Sequence, residues 1–88
     1  MSELNEQIKE LTLLLMYATA FKQTGRYESD YWQAWKGYDF DAMNELNDEE
    51  LIYDEKHKNK SVVITDTGIE KAKQLAEKYG IDISGLNR

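Results

Sequence analysis

The chain has 88 residues, 41% of them hydrophobic, and a formal net charge of −6. That length suits one domain, and one so small buries only about 60% of its unfolded surface, so a second subunit would add stability. The absence of cysteine excludes disulfide frameworks, thiolate nucleophiles and cysteine-based zinc sites, and fits a reducing, cytoplasmic setting.

At the N-terminus, Leu4, Ile8, Leu11, Leu15 and Ala18 recur at alternating steps of four and three. This spacing predicts an amphipathic helix from about Ser2 to Phe21. Between Leu13 and Ala18 apolar side chains point all round the axis, and a helix of that kind is buried all round. An 88-residue monomer has little material to surround it, so part of the helix is expected to meet a second copy. The run Leu11 to Phe21 with Ala18-Thr19-Ala20 has the outline of an export signal, but Glu3, Glu6 and Glu10 ahead of it give the leader the wrong charge. It is also shorter than the ~20 residues a bilayer span needs, so no membrane role is expected.

Lys22 to Asp30 is polar, contains Gly25 and has no periodicity, which predicts a loop. Tyr31, Trp32, Trp35, Tyr38 and Phe40 then crowd into ten residues. A short helical turn over Asp30 to Lys36, ended by Gly37, is the expectation. These aromatics can form core or a stack for a flat ligand, and large apolar area in a small domain favours core, with the Trp35 indole buried. Asp39 can cap a helix through Glu50, with Phe40, Met43 and Leu46 facing inward.

Leu51 to Tyr53 and Ser61 to Thr65 have the β-branched and apolar content of two paired strands. Between them lie Lys56, His57, Lys58 and Lys60, the densest positive cluster in the chain and the candidate nucleic-acid contact. Thr65 can cap a last helix whose stripe is Ile69, Ala72, Leu75, Ala76 and Tyr79, ended by Gly80. The candidate dimer interface combines Leu11, Leu15 and Ala18 with Ile69, Ala72, Ala76 and Tyr79. Residues 1–80 form the expected domain, and residues 81–88 a loosely held tail.

The order helix, turn, helix, strand, basic loop, strand, helix resembles a winged helix, an α+β arrangement with a two-stranded hairpin wing and a C-terminal helix. Leu51-Ile52 and Ile64-Thr65-Asp66-Thr67-Gly68 stand where MarR- and PadR-type winged-helix regulators carry Leu-Ile and Leu-Thr-x-x-Gly motifs. The stretch "AWKGYDFDAMNEL" is more similar still to a small bacterial family of uncharacterised winged-helix-like proteins. The regulator resemblance implies transcription control with DNA contacts by helix and wing. Two positions depart from it. Glu50 replaces a glycine, so a different turn is expected there. The helix that would enter the major groove holds Asp39, Asp41, Glu45, Asp48, Glu49 and Glu50 and no cation.

Catalysis finds little footing. The single histidine, His57, sits among lysines in a loop, acid pairs such as Asp39 with Asp41 lie on a solvated helix, and no glycine-rich phosphate cradle is present. No enzyme activity and no cofactor are expected. The expected role is a binding module, first for a protein partner or a second copy and alternatively for DNA through the wing.

Overall fold

A computed structural model describes residues 3–21, 32–54 and 60–86. Tyr31, Lys56, His57 and Lys58 lie outside the described residues, as do Lys22, Arg26 and Tyr27. The elements in order are α1 (Glu3–Ala18), β1 (Gln33–Trp35), α2 (Phe40–Asp48), β2 (Ile52–Tyr53), β3 (Ser61–Ile64) and α3 (Asp66–Lys78). This is an α+β chain with three helices and a three-stranded antiparallel sheet of order β1-β3-β2. No helix among the described residues is long and apolar enough to cross a membrane.

The sheet corrects two expectations. In place of a helical turn before Gly37 there is a strand, and in place of a two-stranded hairpin there are three strands with β3 in the centre. Gln33, Ala34 and Trp35 pair with Val63, Val62 and Ser61, while Ile52 and Tyr53 pair with Ile64 and Val63. The flanking bonds Ile64 N–H to Trp32 carbonyl and Lys36 N–H to Lys60 carbonyl, each 2.8 Å, extend the β1 ladder at both ends. Such pairing gives a buried central strand partners on both sides, a tertiary demand that local periodicity does not carry. α1 ends at Ala18 instead of Phe21 for the same reason, because Phe21 exchanges both backbone hydrogen bonds with Gln33, at 2.9 and 2.8 Å.

Ala34, Ile52, Val62 and Ile64 share one sheet face by the two-residue alternation of strands. They meet Leu13, Met16 and Tyr17 of α1, Leu46 of α2 and Ala72 and Leu75 of α3 to form the core. Ile83 and Leu86 also pack against this core, so the segment after α3 has a foothold on the domain. At the opposite sheet face Ser61 donates a buried hydrogen bond of 3.2 Å from its hydroxyl to the Gln33 side-chain oxygen.

Local chemistry sets the helix ends. The Asp39 carboxylate accepts from the Ala42 N–H at 3.0 Å, and the Thr65 hydroxyl accepts from the Gly68 N–H at 2.9 Å, satisfying donors that a helix start leaves unpaired. α3 closes with Gly80 at φ 66° and an Ile81 N–H bond to the Ala76 carbonyl. α2 closes in the same way, with Glu50 N–H bonded to Asn47 and Leu51 N–H to Leu46, both 3.0 Å. Here the left-handed residue is Glu50, at φ 62°. The turn expected to be rebuilt is therefore kept, with the steric cost borne by a glutamate. Replacing Glu50 by glycine is expected to stabilise the fold by about 1 kcal/mol in chemical denaturation. Unchanged or lower stability would show that this turn is not strained.

Candidate interaction surface

α1 lies over the other two helices and is clamped by adjacent charged residues on its inner side. Lys9 pairs with Glu49 at the end of α2 and with Glu6 one turn back. Burial lowers the Lys9 pKa, but the hydrogen bonds to Glu49 and Glu6 outweigh it and hold the ammonium above its ordinary range. Glu10 accepts from the Lys78 ammonium at 2.8 Å and the Tyr79 hydroxyl at 2.6 Å, tying α1 to the end of α3. Those two hydrogen bonds hold the Glu10 carboxyl below its ordinary range. A carboxylate lowered on folding contributes stability above its unfolded pKa and loses it as pH falls through the folded one. The stability gap between the unmodified chain and Glu10→Gln should therefore be open at neutral pH and close on acidification below the ordinary glutamate range. A gap that stays constant through acid denaturation would contradict this role.

The opposite side of α1 is apolar and uncovered. Leu4 is 62% exposed, Ile8 38%, Leu11 44% and Leu15 51%, whereas Leu13, Met16 and Tyr17 on the inner side are almost wholly buried. The all-round apolar character of α1 thus divides into a core face and a free face. The free side chains follow steps of four, three and four, the repeat of an a/d coiled-coil seam. Positions beside the seam are uncharged: Asn5, Gln7, Thr12 and Thr19 flank it with Leu14. The charged residues Glu3, Glu6, Lys9 and Glu10 fall elsewhere around the helix.

The other residues proposed for the interface sit differently. Ala72 and Ala76 are 0% and 2% exposed, sealed inside the chain's own core, so they are corrected from interface to core. α3 packs against α1 within the chain. Ile69 and Tyr79 are half-buried against the same core, and Ala18 is half-buried at the end of α1. Leu4 and Ile8 belong to the free seam although the sequence-based interface omitted them; their step-of-four spacing was the available signal.

The aromatic residues do not form one core cluster. Trp35 is 58% exposed, stacked on Phe21 with ring centroids 4.6 Å apart, and Phe40 is 75% exposed at the first residue of α2. Both are corrected from core to surface. In the alternation of β1, Trp35 falls on the face opposite Ala34, and Phe40 falls on the side of α2 away from Ala42 and Leu46. Trp32 and Tyr38 are half-buried against the core, as is Met43. Phe40 and Met43 line an open groove of about 250 Å³ with Ile52 and Val62, closed at one side by a Lys36–Asp54 ion pair of 2.9 Å.

α2 presents its acids to solvent. Asp39, Asp41 and Glu45 edge an open depression of about 380 Å³ whose far side is Asn5 and Ile8 of α1. Asp48 and Glu50 are exposed beyond it. Of the basic cluster only Lys60 falls within the described residues, and it is exposed. Among the described residues no group of three histidine or acidic side chains could hold a metal ion.

Residues 4–82 match the family described as a domain of unknown function, DUF6429. An uncharacterized protein, y4hR, of Sinorhizobium fredii (strain NBRC 101917 / NGR234) is 40% identical over 42 residues, 48% of this chain and 57% of that protein. The match thus spans little more than half of the relative's length. No solved structure matches the chain.

Proposed function

We propose, for a chain that belongs to the DUF6429 family of unknown function, the role of a non-catalytic, winged-helix-like binding module that engages protein and not duplex DNA. The winged-helix reading is supported by the order helix, strand, helix, hairpin, helix and by Gly68 of the Ile64-to-Gly68 motif opening α3 against the hairpin. The carrying observation is α2, the one helix between β1 and β2, whose exposed surface bears acids and no cation. DNA carries one phosphate per ~1.7 Å of its axis, so a groove-reading helix of that charge is repelled before any base is met. The four residues between β1 and α2 leave no room for the first helix of a helix-turn-helix pair. Exposed apolar side chains on α1 supply what a protein partner needs.

A salt titration of binding to random-sequence duplex DNA tests this reading. Only weak binding is expected at physiological salt. The competing use of the chain, a regulator touching DNA through its wing, requires tight binding with a steep dependence of log affinity on log salt. Changing Lys56, Lys58 and Lys60 to glutamine would then shallow that slope by about 0.9 for each phosphate no longer neutralised. That outcome would replace the interaction module with a DNA-binding one.

A further inference from the structure

We infer that the free face of α1 is the seat of a second copy of this chain, packed antiparallel, with Leu4 against the partner's Leu15 and Ile8 against the partner's Leu11. The inference deepens the reading of the chain as an interaction module by naming its partner and register.

The stripe is self-complementary. The steps four, three, four from Leu4 to Leu15 read the same in both directions, so a twofold axis between Ile8 and Leu11 superimposes the stripe on itself. Each exposed leucine or isoleucine then meets one of equal size. Two copies with a net charge of −6 each repel over most of their surfaces, but on α1 the seam and its flanking positions carry no charge. Burial there removes apolar area from water without desolvating an ion.

Orientation follows from what lies at each end. The N-terminal half of the seam adjoins Asp39, Asp41 and Glu45 across the depression at Asn5 and Ile8, and Glu3 and Glu6 lie in the first turn of α1. A parallel pair would bring both sets of acids together. In an antiparallel pair the first-turn acids Glu3 and Glu6 of one copy lie level with residues 13–16 of the other, about 10–20 Å along the axis from the same acids of the second copy at 1.5 Å per residue, beyond the ~8 Å screening length of physiological salt. Antiparallel helix dipoles also set each positive N-terminus beside a negative C-terminus. A lipid surface is a poor occupant, because interfacial helices rely on a basic polar face and the groups around this seam are acidic.

Sedimentation equilibrium of the full chain across micromolar concentrations is expected to give twice the 10.3 kDa chain mass. Leu11→Glu buries an unpaired carboxylate in each half of the pair, facing the acids beside Ile8 of the other copy, and should weaken association at least about 100-fold. Its helical circular dichroism should be unchanged, since Leu11 is exposed in the single chain. The native chain has no cysteine, so register can be read by oxidation. Leu4→Cys combined with Leu15→Cys should give a covalent dimer, and Leu4→Cys alone should not. A monomer mass for the unmodified chain, or a dimer indifferent to Leu11→Glu, would overturn the seam. Ready cross-linking of the single Leu4→Cys variant would overturn the antiparallel register. DNA binding by a chain that remains this dimer would sink the proposed function and leave the seam intact.

Discussion

Gly68→Ala is expected to destabilise the chain by about 3 kcal/mol, the upper part of the range for overpacking a tight site. A methyl group built on Gly68 would stand 2.0 Å from the Leu51 carbonyl oxygen and 2.9 Å from its carbon, both backbone atoms. That carbonyl cannot retreat cheaply, because it accepts the Thr65 N–H at 3.1 Å and the Thr65 hydroxyl at 3.0 Å. The same hydroxyl caps α3 by accepting from Gly68 N–H, so shifting Leu51 breaks the bonds that start the helix. Helix propensity alone predicts the opposite sign, since alanine is favoured over glycine by about 1 kcal/mol within a helix. Thermal unfolding separates the two: for a domain of this size a 3 kcal/mol loss lowers Tm by roughly 12–24 °C. Gly85→Ala is the control, because an added methyl there meets nothing within 4 Å. A Gly68→Ala variant as stable as the parent would show that α3 does not dock on the hairpin as described.

Leu13→Ala should cost about 2–5 kcal/mol, the range for removing a wholly buried leucine and leaving a cavity. Leu13 is 0% exposed and belongs to the cluster that joins α1 to the sheet, α2 and α3. Leu15, two positions along, is 51% exposed, so Leu15→Ala should cost the single chain far less and act on pairing instead. Chemical denaturation of both variants at low and high protein concentration distinguishes the roles: the Leu13 loss is present at every concentration, while the Leu15 loss grows with concentration. Equal losses at high dilution would place Leu15 inside the core and remove the basis of the seam.

The readings that come directly from the sequence are those set by local chemistry. Asp39, Thr65 and Gly80 cap helices because the side-chain acceptor or the missing Cβ acts within one turn, and one turn is visible in sequence. The α1 stripe is legible for the same reason, since its spacing is the helix repeat itself. What the spacing does not carry is the identity of the neighbour that covers each face. Ala72 and Ala76 show the same apolar periodicity as Leu11 and Leu15, yet the first pair is sealed inside the chain and the second stays bare. β1 escapes a sequence reading because a three-residue strand owes its form to pairing with Val62 and Val63, thirty residues away, and has no repeat of its own. The misplacement of Trp35 follows from that, since a strand sends alternate side chains to opposite faces and leaves the indole outside.

Lys9 and Glu10 leave no mark in the apolar periodicity, although they tie α1 to the ends of both other helices. Neighbours in sequence, they point to the ends of different helices, one to Glu49 and the other to Lys78 and Tyr79. They lie on the inner side of α1 with Leu13, Met16 and Tyr17, opposite the leucine seam. The same charged residues that stabilise the fold therefore keep charge off the face proposed for pairing.

Sedimentation velocity of the unmodified chain mixed with a random-sequence duplex at physiological salt distinguishes a protein-pairing module from a DNA reader. Two independent boundaries are expected, protein at the mass of a dimer and DNA at its free rate. Protein moving at monomer mass, or protein carried with the DNA in a complex that disappears on replacing Lys56, Lys58 and Lys60, would contradict the pairing module.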